Sequence, residues 1–167
     1  RAVDFETIAK TILVGEGKNC RCLIAPGAFG AINDLDPKVN SYDPERSKAL
    51  LKEAGFAAGD GPAVRFIAPV GSPQQVLEAL VDQLSKVGFK AKLELMEVGD
   101  YIKVRNDGEF DIFANGFTAV TGDAEFILPT MFYCKTSRSG YCNGEVDKLL
   151  DEAAAVTDQT KRLDLYR

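Results

Sequence analysis

Three strand-length apolar runs, separated by two helix-length segments between residues 63 and 117, restrict the fold more than any other feature of the chain. The runs are "AVRFIA" (63–68), "FKAKLELM" (89–96) and "FDIFANGF" (110–117). Between them lie "SPQQVLEALVDQLSKVGF" (72–89) and a shorter helical stretch around "GDYIKVRNDG" (99–108). This order and spacing predicts an α/β class: a small, mainly parallel βαβαβ sheet flanked by helices. The longer helix carries a buried stripe of Val76, Leu77, Leu80, Val81 and Leu84. Its expected N-terminus has Ser72 as cap, Pro73 as opening residue and Gln75 completing a capping box, and Gly88 closes it. In "FKAKLELM", Phe89, Ala91, Leu93 and Leu95 alternate with Lys90, Lys92 and Glu94. One face of that strand therefore meets water, which places it near a sheet edge.

Before the sheet, a helix is expected from about residue 4 to 14, then an irregular passage from Gly15 to Tyr42. That passage is longer than loops usually are in compact domains, so it is functional or packs against something outside the chain. The helix over 43–54 has complete boundary signals: Asp43 as cap, Pro44 in the first turn, Gly55 as stop and Phe56 folding back onto Leu51. Leu50, Leu51 and Ala54, with Ser47 a turn earlier, form its apolar face. From Asp123 onward the pattern is one of helices and turns. "RAVDFETIAKTIL" is helical from its first residues and "DQTKRLDLYR" stops inside a helical pattern, so the chain is expected to be an excerpt of a longer protein.

Composition removes several functions. At 167 residues with 46% hydrophobic and 27% charged side chains, the chain can bury a real core. A net charge of −5 without a basic cluster gives nucleic acid or an anionic membrane surface nothing to hold. No apolar run approaches the roughly 20 residues that cross a bilayer. The absence of histidine removes Ser-His and Cys-His nucleophile pairs and the commonest metal ligand. Acid–base chemistry by carboxylates or lysine stays open.

Ligands of open parallel sheets bind beyond the carboxyl ends of the strands. That rule selects "APVGSP", with Pro69, Val70, Gly71 and Ser72, and "NGFTAVTGDAEF", with Asn115, Gly116, Phe117, Thr118, Val120 and Asp123. The glycines allow close backbone approach and Phe117 offers a stacking face. Phe117 reads equally as a core aromatic, and Asp123 reads first as the cap of the helix that follows. "GEGKNC" lacks the third glycine of a dinucleotide fingerprint and follows a helix, so it is set aside. Glu97 and Asp100 form either a carboxylate pair or a solvated turn. No catalytic residue, cofactor or metal is assigned.

Cys134 and Cys142 flank the polar stretch "KTSRSGY", which a disulfide closes easily and which points to an oxidising compartment. Cys20 and Cys22, one residue apart, are not expected to bond readily to each other. A four-cysteine zinc site competes, although its spacing matches no common zinc module.

"YDPERSKALLKEAGF" resembles a characteristic segment of the large extracytoplasmic solute-binding proteins of ABC importers, the peptide, oligopeptide and nickel-binding family. Tyr42 belongs to that pattern together with the helix. The match continues in order through "AVDFETIAKTILVGEG", "LVDQLSKVGFKAKLELME", "GYCNGEVDKLLDEA" and "TKRLDLYR". The resemblance implies a periplasmic-binding-protein-like lobe, with residues 1–167 as most of the second lobe of a two-lobed protein. It implies a small-molecule solute held between lobes, delivery to ABC permease subunits, contacts from the missing first lobe, and a periplasmic or membrane-anchored extracytoplasmic location. It also supports the pairing of Cys134 with Cys142. Peptide binders of this family usually carry an acidic residue after an aromatic at the third strand, and here that position falls near Val120. Dipeptide binders place an arginine after the first strand, whereas Arg65 lies inside it. An apolar side chain cannot hold an ammonium group out of water. Peptide-like, sugar-derivative and opine-like solutes are all carried forward, with a zwitterionic dipeptide disfavoured. An α/β enzyme fragment using carboxylates, or a ligand-sensing receptor domain of the same fold, are the alternative readings.

Overall fold

The structure, a computed structural model, describes residues 1–17, 19, 20, 22–32, 41–118 and 120–167. Residues 33–40 of the long irregular passage, Lys18 of "GEGKNC" and Ala119 of the second loop lie outside the described residues. The chain divides into two compact units, Arg1–Asn19 with Pro37–Asn115, and Cys20–Asp36 with Gly116–Arg167.

The first unit is the α/β layer. Helix α1 (Phe5–Thr11) is shorter than its apolar pattern and starts where the Asp4 carboxylate accepts from the Thr7 amide at 3.0 Å. Helix α2 (Pro44–Glu53) has the expected boundaries: Asp43 accepts from the Arg46 amide at 2.8 Å. Gly55, at φ +92°, turns the chain so that Phe56 N–H reaches the Leu51 carbonyl at 3.0 Å. The expected face is only partly buried: Ser47 is buried and Leu51 half-buried, while Leu50 and Ala54 are exposed.

Strand β1 (Ala63–Pro69) is central, with β2 (Lys90–Met96) on one side and β3 (Ile112–Phe113) on the other, both parallel to it. Phe66 and Ala68 of β1 form a core with Leu77 of helix α3 (Gln74–Val87), joined by Leu80, Val81, Leu93, Ile112 and Ala114. Ile67 is fully buried as well. Burial on successive residues is what a central parallel strand requires, and it explains why β1 is a continuous apolar run while the edge strand β2 alternates. β3 is much shorter than "FDIFANGF". It pairs with β1 only at Phe66–Ile112 and Ile67–Phe113. Ala114 N–H still reaches the Ile67 carbonyl at 3.0 Å, and then the Asn-Gly pair, a poor strand former, lets the chain leave.

The second unit is helical: α5 (Ala124–Phe132), α6 (Gly144–Ala155) and α7 (Gln159–Leu165). (Helix α4, Val98–Asn106, belongs to the first unit.) Ile24, Ala124 and Ile127 are its buried centre, lined by Phe117, Leu128, Met131 and Tyr166 among others. Part of the irregular passage therefore packs inside the chain itself. Phe29 forms a parallel bridge to Asp123, donating to the Gly122 carbonyl at 2.8 Å and accepting from the Ala124 amide at 2.9 Å.

Candidate functional site

Within the first unit, the selected residues gather at the carboxyl edge of the sheet. Val70 leaves β1 with its amide bonded to the Met96 carbonyl at 2.8 Å, which holds the ends of β1 and β2 level. Its side chain is exposed, and Gly71, at φ +91°, has open space around its Cα. Ser72 does not cap α3. Its hydroxyl donates to the Pro69 carbonyl at 2.7 Å, so the turn after β1 claims it and the helix starts behind Pro73 without a side-chain cap or a Gln75 capping box. Asn115 is exposed at the end of β3, just after Ala114, whose carbonyl accepts from the Tyr101 hydroxyl at 2.8 Å. Arg65 is committed lower in β1. Its guanidinium holds Glu94 at 3.0 Å and donates to the Glu109 carbonyl at 2.7 Å. The Arg65 hydrogen bond, the largest influence on Glu94, keeps that carboxyl below its usual range.

Glu97 caps α4 without a side-chain hydrogen bond, and Asp100 lies in the first turn, as the solvated-turn reading requires.

The selected residues of the second unit have divided roles. Phe117 is half-buried and packs against the unit's core. Thr118 and Val120 are exposed, Val120 by 80%, and the Val120 amide bonds back to the Thr118 carbonyl at 2.9 Å. Gly122 supplies the carbonyl that receives Phe29. Asp123 is engaged on both oxygens: one accepts from the Glu125 amide at 2.9 Å, capping α5, and the other pairs with Arg162. The Asp123 side chain is only 16% exposed. Its reading as a helix cap holds, and its carboxylate is not free to receive an ammonium group.

Arg162, on α7, was not singled out in the sequence. It reaches Asp123, approaches Glu125 at 3.5 Å, donates to the Tyr166 hydroxyl at 3.3 Å, and lies over the Phe29 ring at 4.9 Å. The Tyr166 hydrogen bond, ahead of the Asp123 contact, raises its already high pKa. Its only signal in the sequence is a cation on the otherwise amphipathic "TKRLDLYR".

The stretch between Cys134 and Cys142 closes over the end of α5. The two cysteines are disulfide-bonded with Cα atoms 4.4 Å apart. Ser137 and Ser139 hydroxyls both donate to the Met131 carbonyl, at 2.7 and 2.6 Å, and the Arg138 amide donates to the Thr130 carbonyl at 3.1 Å. These bonds satisfy carbonyls that a helix end leaves orphaned. Above them the Arg138 guanidinium sits 5.8 Å from the centre of the Phe117 ring. Cys20 and Cys22 are also paired, contrary to the spacing argument. Their Cα atoms are 5.2 Å apart, inside the range of about 4.4–6.8 Å that disulfides span. With all four sulfurs in disulfides, a four-cysteine zinc site has no thiolate to use.

The family of bacterial extracellular solute-binding proteins, family 5 Middle, matches residues 1–139. The chain is 33% identical over 176 residues to the dipeptide-binding protein of Escherichia coli K12, covering 99% of this chain and 32% of that protein. Among solved structures it is similar to HbpA2 of Haemophilus parasuis, with a TM-score of 0.88 and 26% identity over 99% of this chain and 34% of that one. It is also similar to the periplasmic binding protein DppA of Helicobacter pylori in complex with the peptide STSA, with a TM-score of 0.87 and 25% identity over 99% of this chain and 33% of that one. The chain thus spans about a third of the length of these relatives. The chain belongs to the bacterial extracellular solute-binding proteins of family 5.

Proposed function

We propose that the chain is part of the solute-capturing component of an ABC importer, contributing most of the second lobe of a two-lobed protein outside the cytoplasmic membrane. In this reading a small polar solute is held between the lobes without chemical change and presented to permease subunits. The observation that carries it is the open carboxyl edge of the parallel sheet, where Val70, Gly71 and Asn115 are exposed on a rigid three-stranded frame. Relatives named for dipeptides and crystallised with a peptide support the peptide-like class among the solutes considered.

The ammonium group of such a solute is not read by this chain in the expected place. Val120 is apolar, and the Asp123 carboxylate is neutralised by Arg162. Calorimetry on the full-length protein with a dipeptide library tests both statements. We expect saturable binding of at least one member, with Asp123→Asn changing Kd by less than about threefold at temperatures below its melting point. Turnover of a ligand would refute the capture role, and no saturable binding of any dipeptide would refute the peptide-like class of solute. Tight dipeptide binding lost in a folded Asp123→Asn variant would refute the account of the ammonium group.

A further inference from the structure

We infer that Arg105 forms a buried ion pair with a carboxylate from polypeptide outside these 167 residues, and that the pair helps to seat that polypeptide along helix α4 and strand β3. This rests on the proposed membership in a longer, two-lobed protein and adds an interface within that protein.

Among the described residues, Ser47 and Arg105 are the buried polar or charged side chains, and of these only Arg105 carries a charge. It is 9% exposed. Its Nε is buried without a hydrogen-bond partner, and a terminal nitrogen donates to the side chain of the adjacent Asn106 at 3.1 Å. The guanidinium lies 5.6 Å from the centre of the Tyr101 ring. No carboxylate among the described residues pairs with it. The acids nearest in sequence are placed elsewhere. Glu109 faces Arg65 at 3.6 Å and Asp111 accepts from the Arg65 amide at 2.7 Å. Asp100 and Asp107 line a groove with Lys103 on another side of α4. A buried cation with a single neutral hydrogen bond is costly, and a guanidinium does not escape the cost by shedding its proton. An aromatic face offsets part of that cost, and a charge-assisted carboxylate bond offsets far more.

The surroundings of Arg105 identify where the carboxylate comes from. Val98, Ile102 and Arg105 follow one another at i, i+4 and i+7 on α4, so they share one stripe. Val98 and Ile102 are exposed, which leaves the stripe apolar and open beside the buried cation. Tyr101 ties this side of the helix to the sheet, its hydroxyl donating to the Ala114 carbonyl just past β3. β3 ends the strand order β2-β1-β3, and among the described residues no strand lies on its outer edge. Such an edge leaves backbone donors and acceptors for another segment to meet. All of these features lie in the first unit. An apolar stripe, a free strand edge and an uncompensated cation together suit a peptide segment with apolar side chains and one Asp or Glu. A free anion would leave the stripe and the edge uncovered. The candidate solute edge is at the Val98 end of the helix, about 10 Å from Arg105 at 1.5 Å per residue. The remaining polypeptide is the occupant that this argument selects, since the chain spans about a third of the length of the relatives it matches.

A crystal structure of the full-length protein tests this directly. We expect an Asp or Glu from outside residues 1–167 within about 4 Å of the Arg105 guanidinium, and apolar side chains of the same segment on Val98 and Ile102. Two variants of the full-length protein test the pair in solution. Arg105→Met keeps an apolar stem and strands the partner carboxylate, so Tm should fall by about 3 °C or more. Changing the partner to its amide as well should recover at least half of that fall. An Arg105→Met protein that melts at or above the wild-type temperature overturns the pair, because an apolar replacement improves only an unpaired buried cation. Water, an inorganic anion or a carboxylate of residues 1–167 against the guanidinium overturns it too, and decides the matter if Arg105→Met does not fold. Each of these results leaves the capture role standing. A full-length structure without a second lobe overturns both.

Discussion

At the scale of single residues, Arg162 has the most to lose. It neutralises Asp123, reaches Glu125 and Tyr166, and covers the Phe29 ring, so one guanidinium joins the segment around Phe29, the start of α5, and α7. Its side chain is 18% exposed, and removing it leaves the Asp123 carboxylate under-compensated in a partly buried site. Breaking a fully buried pair from one side costs about 3–5 kcal/mol, and partial exposure reduces that. Arg162→Ala is therefore expected to destabilise by about 2–3 kcal/mol in chemical denaturation. A loss below about 0.5 kcal/mol, the level of an exposed ion pair, would show that the cluster is solvated and only incidental. Gly30 belongs to the same cluster. It lies at φ +87°, and a Cβ there would stand 2.5 Å from that of Ala124, so no other residue fits without displacing α5.

At the scale of elements, what the sequence reveals depends on how local the cause is. The caps and stops of α2, the buried run of β1 and the alternation of β2 as far as Leu93 are written in neighbouring residues, and the structure reproduces them; beyond that point the alternation breaks, with Glu94 half-buried against Arg65 and Leu95 exposed. Ser72 misleads because two acceptable hydrogen bonds compete for one hydroxyl, and the Pro69 carbonyl wins. Phe29 and Arg162 are invisible to pattern reading because their partners lie some 94 and 39 positions away, at Asp123 in both cases. Arg138 is a further example: nothing in "KTSRSGY" states that its fourth residue settles over Phe117. The Cys134–Cys142 bridge closes a short loop, so its stabilisation by unfolded-chain entropy is about 2.5 kcal/mol. Replacing both cysteines with serine is expected to lower stability by that amount, and to abolish the response of the α5 end to reductant in hydrogen exchange. Unchanged protection of the Ser137–Ser139 amides would mean that the serine hydroxyls alone hold the loop.

At the scale of the whole molecule, the proposed two-lobed arrangement predicts that affinity needs more than these 167 residues. The chain matches only about a third of each relative's length. The candidate residues of the first unit lie on an open sheet edge, with Val70 52% exposed. Tight small-molecule sites bury about 70–90% of the ligand surface, which an open edge cannot do. If a second lobe supplies the opposing wall, removing it forfeits its contacts and the exclusion of water that strengthens the remaining polar ones. Two lost hydrogen bonds to a charged solute already amount to about 3 kcal/mol, or roughly 100-fold in Kd. Calorimetry of the isolated 167-residue chain beside the full-length protein, with the tightest dipeptide from the library, is expected to show at least that difference. Equal affinities would place the entire site on this chain, and the clamp between two lobes would have to be abandoned in favour of a self-sufficient pocket.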